Sequence, residues 1–181
     1  MSTNFDRALD FIYPAEGADH HYEPLGGVTA FGITLSFAAG VGDLNNDGRP
    51  DLDIDGDGDV DADDLYKLTR EDASFIYERI LWLPLRCHEL PFAVALPLFD
   101  AAVNQGRGPA VTMLQRALGV KDDGKFGPKT FQAACTQAAS GVAIRLTGNR
   151  VRRYMNTRGF DTNGLGWINR AVAALEYGMK G

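Results

Sequence analysis

The chain has 181 residues, 45% of them hydrophobic and 23% charged, which predicts one soluble domain with a sizeable core and room for a small insertion. Its longest apolar stretch, residues 90–99, is too short to span a bilayer, and Cys87 and Cys135 are too few for a disulfide framework, so we expect two buried or half-buried thiols. The net charge of −6 is unevenly divided, because residues 1–66 hold fifteen acidic and two basic side chains whereas residues 67–181 hold nine and sixteen.

The acidic charge is concentrated in one short segment of the chain. Ten acidic residues lie between Asp43 and Asp64. A cation bound there leaves the remaining surface mildly basic, which suits an anionic polymer as the partner.

The first elements are predicted from apolar spacing and from breaker residues. Apolar residues at helical spacing begin at Phe5 and stop at Pro14, so Glu16 is expected just past the end of a helix. Residues 26–37 place β-branched and aromatic residues between glycines, which predicts a strand or a hairpin. An acidic insertion of low hydrophobicity follows at residues 43–64.

The rest of the chain is predicted to be helical. A helical pattern begins at Leu65 and continues to Ile80, and a buried helix around residues 96–103 ends at Gly106. Further helices are expected from Pro109, from Pro128, over residues 141–156 and over residues 166–179. The predicted class is therefore mainly α with a small β element.

The acidic insertion carries the spacing of an EF-hand calcium loop. Within DIDGDGDVDADD, residues 53–64, acids stand at positions one, three, five, seven, nine and twelve, with glycine at position six. Calcium fits because it accepts many hard oxygens in a flexible shell, whereas magnesium demands a stricter geometry. We interpret the ion as structural, since no reactive group is placed beside it. The candidate ligands are Asp53, Asp55, Asp57, Asp59, Asp61 and Asp64.

A second such loop begins upstream of the first. Asp43, Asn45, Asp47 and Gly48 stand at its positions one, three, five and six, as in the loop above, but its twelfth position is Ile54. It therefore forms an incomplete site or shares Asp53 or Asp55 with the following loop. Its candidate ligands are Asp43, Asn45 and Asp47.

Glu16 is the candidate general acid. It follows apolar residues at a predicted helix end, where desolvation can raise the pKa of a carboxyl group as acid catalysis at neutral pH requires. Gly26 and Gly27 allow a tight turn that brings Thr29 back over this carboxylate. The alternative is a solvated or helix-capping glutamate.

Several segments resemble one family of enzymes. AEGADHHYEPLGGVTAFGIT, residues 15–34, resembles the signature of the glycoside hydrolase family 108 lysozymes, which are phage-type endolysins: Glu-Gly-Gly, then Asp-Pro-Gly-Gly-x-Thr-x-x-Gly-Ile-Thr. The likeness continues through LTREDASFIYERILW, LPFAVALPLFDAAVNQG, LQRALGVKDDGKFGPKT and GWINR, so it covers nearly the whole chain except the acidic insertion. From about Leu114 the chain resembles the predicted peptidoglycan-binding region that accompanies this family.

The resemblance implies a lysozyme-like α+β fold, a helical bundle with a small β-hairpin near the active site. The EF-hand or dockerin-like calcium loop, read from its spacing, would be an insertion in this fold. Residues 1–110 would form the catalytic region, with the insertion at residues 43–64. Residues 111–181 would form a helical peptidoglycan-binding region packed into the same globule.

The resemblance also implies roles for two residues and leaves a third open. Glu16 would protonate the glycosidic oxygen between N-acetylmuramic acid and N-acetylglucosamine, and Thr29 falls on the signature threonine. Related phage lysozymes use an aspartate and a threonine to place the attacking water, which implies inversion. Here Pro24-Leu25 stands where the family has that aspartate, so it is absent or displaced onto Glu23. The other candidates for this role are Asp19, His20 and His21.

We accordingly expect a bacteriolytic lysozyme, a monomer that acts on bacterial peptidoglycan and binds neither nucleic acid nor, stably, a membrane. The alternatives are a non-catalytic peptidoglycan-binding or secretion accessory protein with the same fold, and a calcium-dependent adhesion or scaffolding protein. The N-terminal residues lack the apolar core of a secretory signal. This fits what the resemblance suggests, a bacteriophage endolysin that stays in the host cytoplasm and reaches the periplasm and cell wall through a holin.

A few other polar and aromatic residues have two possible roles. Asp100 and Asn104 share a helix face and are expected to bridge helices, the alternative being contact with substrate. The arginines of GNRVRRY, residues 148–154, either cross-link helices or meet carboxylates or phosphates. Trp82 and Trp167 either belong to the core or stack on sugar rings.

Overall fold

The computed structural model of the protein describes residues 3–16, 21–23 and 27–180. The chain divides into two units, one formed by Ile12–Arg79 and the other by Met1–Phe11 together with Ile80–Gly181. The predicted mainly α class with a small antiparallel sheet is confirmed.

The first helix is longer than predicted. α1 runs over Asn4–Glu16 and contains Pro14 near its end, so the prediction that Pro14 stops the helix before Glu16 is wrong. A proline removes one helical hydrogen bond and crowds the carbonyl four residues earlier, but near the end of a helix this disturbs only the last turn. Ile12 and Tyr13 are buried in this last turn, and their burial stabilises the helix up to Glu16.

The small sheet lies in the unit Ile12–Arg79. It has three antiparallel strands in the order β1, β2, β3, which are His21–Glu23, Gly27–Ala30 and Ile33–Thr34. The tight turn between β2 and β3 uses positive φ angles of 51° at Phe31 and 80° at Gly32. The predicted hairpin is confirmed but ends at Thr34, whose hydroxyl accepts a hydrogen bond from the Phe37 amide (3.3 Å) and caps α2, Leu35–Ala38.

The helix predicted from Leu65 to Ile80 is interrupted. α3 covers Ala62–Lys67 and α4 covers Arg70–Tyr77, and a π-helical turn follows at Glu78–Trp82. The break occurs because Thr69 starts a new helix: its hydroxyl accepts from the Asp72 amide while the Asp72 carboxylate accepts from the Thr69 amide.

The second unit contains the helices α5 (Phe92–Gln105), α6 (Arg107–Leu118), α7 (Pro128–Thr136), α8 (Ala139–Met155) and α9 (Phe160–Met179). Of these, α6, α8 and α9 pack around α5, while α7 packs on α6 and α8. α5 is buried along most of its length. The expected glycine and proline boundaries are close to the observed ones, but α9 begins six residues before the predicted 166. It can do so because Gly164 leaves space for the Phe160 ring, which a Cβ would meet at 2.5 Å.

A buried ionic cluster joins three of these helices. Asp100 of α5 is fully buried and accepts hydrogen bonds from Arg150 of α8 and from Arg170 of α9, the latter at 2.8 and 2.6 Å. Arg150 also donates to the Tyr154 hydroxyl (2.9 Å), which donates to the Asn104 side-chain oxygen (2.8 Å). Asp100 and Asn104 thus bridge helices, as the sequence favours.

The two cysteines are both free. Cys87 is buried and Cys135 is exposed, so the expectation of buried or half-buried thiols is wrong for Cys135. Burial raises the pKa of the Cys87 thiol and keeps it protonated. Among the described residues, no helix combines the length and apolarity that a membrane crossing needs.

Candidate functional site

The predicted catalytic residues belong to adjacent elements of the unit Ile12–Arg79. Glu16 is the last residue of α1, Glu23 is the last residue of β1, and Thr29 lies in β2. Residues Asp19 and His20 lie outside the described part of the structure. The backbone of Glu16, His21 and Glu23 is described, but their side chains are not.

Thr29 lies on the sheet face opposite the core. Its strand neighbours Val28 and Ala30 are 4% and 0% exposed, whereas Thr29 is half-buried. Because side chains alternate across a strand, Thr29 lies on the other face. The register pairs it with His21 on one side and with Thr34 on the other, so it occupies the middle of the sheet.

Tyr13 fixes the turn of α1 that ends at Glu16. Its ring is 3% exposed and packs edge-on against Phe31, with 5.8 Å between ring centroids, while the Arg70 guanidinium lies 4.5 Å from the centre of the Tyr13 ring. The Tyr13 hydroxyl shares a hydrogen bond of 2.7 Å with the Ser74 hydroxyl and lies 3.2 Å from the Arg70 carbonyl, to which it donates. Burial raises the pKa of Tyr13, so it stays a neutral donor.

A second tyrosine fixes the turn between β2 and β3. The Tyr77 hydroxyl donates to the Phe31 carbonyl at 2.8 Å. α4 therefore holds both the end of α1, through Arg70 and Ser74, and the β2–β3 turn, through Tyr77. Nothing in the sequence pattern predicts these positioning roles, although Arg70, Ser74 and Tyr77 lie within LTREDASFIYERILW, a segment that resembles the family.

The acidic loop at residues 53–64 brings its carboxylates together in two groups. Side-chain oxygens of the first three candidate ligands lie within 4.8 Å of one another, and so do those of the last three. The groups are Asp53, Asp55 and Asp57, and Asp59, Asp61 and Asp64. The pKa of Asp59 is raised because neighbouring carboxylates, chiefly Asp57, disfavour its negative charge.

Asp64 closes this loop from the helix that follows it. It is only 2% exposed, and its carboxylate accepts backbone hydrogen bonds from Ile54 (2.7 Å), Asp55 (3.1 Å) and Asp61 (2.8 Å). Asp61 caps α3 and completes a capping box with Asp64. Lys67, one turn further, is 2.8 Å from an oxygen of Asp55, and this hydrogen bond lowers the pKa of Asp55.

Both acidic loops have the same hydrogen-bond pattern. The first carboxylate of each accepts from backbone amides three and five residues later: Asp43 from Asn46 and Gly48, and Asp53 from Gly56 and Gly58. The upstream loop is closed by Asp51, which accepts from the Leu44 amide and, at 3.1 Å, from the Asn45 side chain. Asp51, and not a shared Asp53 or Asp55, therefore closes the hydrogen-bonded upstream loop.

The region after α6 is organised by one buried glutamine. Gln115 is 1% exposed, and the two hydrogens of its amide nitrogen are shared among Asp123 (3.0 Å), the Lys125 carbonyl (3.0 Å) and Thr130 (3.2 Å). Its oxygen accepts from the Gly124 amide at 2.9 Å. One side chain thus shapes the turn between α6 and α7, within the segment LQRALGVKDDGKFGPKT.

The chain is similar to two protein families and to a solved structure. A family model described as glycosyl hydrolase 108 matches residues 9–106, and one described as a predicted peptidoglycan domain matches residues 109–172. The structure of Brucella abortus SagA is similar with a TM-score of 0.80 and 28% sequence identity, covering 97% of this chain and 94% of that chain. No curated protein matches the chain. The match to residues 9–106 includes α5, which packs with α6, α8 and α9.

Proposed function

Because the chain belongs to the glycosyl hydrolase 108 family and continues into a predicted peptidoglycan domain, we propose that it is a lysozyme that cleaves the β-1,4 bond between N-acetylmuramic acid and N-acetylglucosamine. Family membership supports a glycoside hydrolase that acts on peptidoglycan. The bond cleaved and the residues that cleave it are what the proposal adds.

Glu16 is the proposed general acid. The single observation that carries this role is the anchoring of the last turn of α1 by Tyr13, which is fixed by Ser74 and Arg70. A general acid must be held within hydrogen-bond reach of the leaving oxygen, and a rigid helix end provides that precision. Glu16 gives its proton to the glycosidic oxygen, which leaves as the 4-hydroxyl of N-acetylglucosamine.

The second half of the reaction is assigned to the sheet. Thr29, on the face away from the core, positions the attacking water through its hydroxyl, and Glu23 accepts the proton that this water loses. The water oxygen forms the new bond to the anomeric carbon of N-acetylmuramic acid as the bond to the leaving oxygen breaks. Attack from the opposite face inverts the anomeric configuration.

The experiment that tests this function is mass spectrometry of the soluble products from purified peptidoglycan. We expect muropeptides that end in reducing N-acetylmuramic acid. Products that end in reducing N-acetylglucosamine would mean that the other glycosidic bond is cut. A folded protein that pellets with the wall and releases nothing would support the alternative, a non-catalytic peptidoglycan-binding protein.

The loop of residues 53–64 is also proposed to hold one structural calcium ion. The two convergent carboxylate groups and the positive φ of Gly58, 104°, at the sixth position support this assignment. The ion would be held by the six aspartates of the loop, and the upstream ligands Asp43, Asn45 and Asp47 would form a second, weaker site closed by Asp51. Bound calcium neutralises the crowded carboxylates and orders the loop.

Calcium is therefore expected to raise the thermal stability of the protein. At a concentration about 100 times Kd, binding to the folded state alone adds about 2.7 kcal/mol, which corresponds to a rise in Tm of roughly 5–10 °C for a chain of this size. The measurement is Tm against calcium concentration, with magnesium as the comparison ion.

Two matched substitutions in the loop test whether the ion binds there. Asp57→Asn removes a ligand charge at loop position five and should reduce the calcium-dependent rise in Tm. Asp63→Asn removes an exposed charge at position eleven, which is not a ligand position, and should keep the rise. No shift at millimolar calcium, or an equal shift in both variants, would contradict the site.

A further inference from the structure

A polar groove lies within the segment that matches the predicted peptidoglycan domain. Its volume is about 1090 Å³, and it is framed by one side of α6, the turn at residues 123–125 and the C-terminal end of α8 with the two residues that follow it. Its charged and polar lining includes Thr112, Arg116, Lys125, Asn149, Arg152 and Arg153.

The groove has an excess of positive charge. Residues 109–172 contain ten basic and three acidic side chains. Arg116 is balanced by Asp122 at 2.7 Å. Among the described residues, no carboxylate lies within 4.0 Å of the side-chain nitrogens of Lys125, Arg152 or Arg153.

The one acidic residue in the lining is already engaged. Asp123 accepts hydrogen bonds from the Gln115 side chain (3.0 Å) and from the Lys125 amide (3.1 Å). The hydrogen bond from Gln115 is the largest cause of the lowered pKa of Asp123. Asp123 therefore stays negatively charged in the lining, and Lys125, Arg152 and Arg153 outweigh its charge three to one.

Hydrogen bonds and one close backbone contact tie the walls of the groove together. Asn149 donates to the Met113 carbonyl (3.0 Å), which ties α8 to α6, and accepts from Arg152 (3.1 Å), which orients that guanidinium. Gly124, with φ of 70°, approaches so closely that a Cβ there would lie 3.2 Å from the Thr112 hydroxyl. A preorganised site loses less entropy on binding.

A smaller pocket adjoins the groove. Its volume is about 290 Å³, and it shares Arg153 and Thr157 with the groove. Its other lining residues are Asn104, Gln105, Tyr154 and Trp167.

This pocket has the chemistry of a sugar site. The half-buried Trp167 ring lies against Tyr154, with 5.3 Å between ring centroids, and the side-chain oxygen of Gln105 is buried without a hydrogen-bond partner. An aromatic ring beside amide groups suits an N-acetyl sugar, which has an apolar face and an amide of its own.

We propose that the groove binds the stem peptide of peptidoglycan through its carboxylates, with the sugar that carries this peptide seated in the pocket at Trp167. Arginine binds carboxylates in a planar, two-pronged geometry, and Arg152 and Arg153 lie at the groove while Arg153 also borders the pocket. This inference rests on the proposed function, because it names the part of the same polymer that the second region recognises.

The test is binding of the full chain to a disaccharide-tetrapeptide, measured by calorimetry. This probe contains no bond of the type that a muramidase cuts, so binding is measured without turnover. We expect the double substitution Arg152→Gln, Arg153→Gln to weaken binding at least tenfold and to abolish most of its salt dependence. The matched control is Lys129→Gln, Arg158→Gln, which removes two exposed cations outside the groove and should bind like the wild type.

A second arm compares ligands and identifies the source of the negative charge. Di-N-acetylchitobiose, a disaccharide with neither the peptide nor the lactyl carboxylate, should bind the wild type at least tenfold more weakly than the disaccharide-tetrapeptide, and Arg152→Gln alone, which lies outside the pocket, should leave its binding unchanged. Equal binding of both probes, unchanged binding by the double variant, or tighter binding of a glycerol phosphate polymer would overturn the proposal.

The two proposals fail in different ways. If the wild type binds the disaccharide-tetrapeptide through Arg152 and Arg153 but cleaves no peptidoglycan, the proposed catalysis fails and the groove assignment stands. If it cleaves peptidoglycan but the double variant binds the probe as tightly as the wild type, only the groove assignment fails.

Discussion

Glu16→Gln is expected to lower the rate of peptidoglycan hydrolysis by about 10²–10⁴-fold, the usual contribution of a general acid. Glutamine has the size and the hydrogen-bonding atoms of the glutamate, but it cannot give up a proton to the leaving oxygen. Binding to insoluble peptidoglycan should persist, because the proposed stem-peptide groove lies in the other unit. The measurement is the release of reducing ends from purified peptidoglycan, with a pull-down of the protein on the wall.

The matched control for this prediction is Glu71→Gln. Glu71 is exposed in the first turn of α4 within the same unit, so its substitution removes the same charge without touching the proposed reaction. We expect its rate to stay close to that of the wild type. A Glu16→Gln variant that keeps more than a tenth of the wild-type rate would assign the acid to another residue.

Asp100→Ala is expected to destabilise the unit that contains α5 by about 3–5 kcal/mol, the usual cost of breaking a buried ion pair by removing one partner. Asp100 is fully buried and Arg150 is 1% exposed, so the substitution leaves a buried guanidinium without its carboxylate. One guanidinium nitrogen of Arg150 already lacks a hydrogen-bond partner, which indicates that few other acceptors lie near enough to replace Asp100. Arg170, from α9, loses the same anchor.

Urea denaturation followed by tryptophan fluorescence measures this effect, since Trp82 and Trp167 both belong to that unit. The control is Glu176→Ala, which removes the exposed partner of Lys180 and should leave the midpoint nearly unchanged. An Asp100→Ala midpoint equal to that of the control would mean that the three-helix cluster contributes little to stability.

The errors at element boundaries have local physical causes. Pro14 predicted a helix end, but burial of Ile12 and Tyr13 carries α1 two residues beyond it. The break at Thr69 was readable in principle, because Thr-x-x-Asp is a capping box, but the apolar periodicity on both sides of it concealed the signal. The early start of α9 depends on the Phe160 ring over Gly164, a contact that composition alone does not predict.

Features of the candidate sites could be predicted from the sequence where they depend on residues that are close together along the chain. The EF-hand spacing picked out the carboxylates that converge in two groups, and it placed Asp64 at the end of the loop, where it accepts backbone hydrogen bonds. The closing role of Asp51 was missed, because it stands at position nine of a loop whose expected closing position is twelve. The tyrosine anchors were missed for another reason: Tyr13 and Ser74 are 61 residues apart, and Tyr77 and Phe31 are 46 apart.

The sequence by itself determined the mainly α class, the acidic loop with the spacing of an EF-hand and the family signature around Glu16, because each depends on side chains a few residues apart along one helix, strand or loop. Only the tertiary structure decided which charges neutralise one another. Asp100 meets Arg150 and Arg170 across 50 and 70 residues of chain, and Arg152 and Arg153 are left facing the groove. Which charges become neighbours depends on how whole helices pack. The segment GNRVRRY of α8 places Arg150 in the core and Arg152 and Arg153 at the groove because α8 packs against α5, α6 and α9.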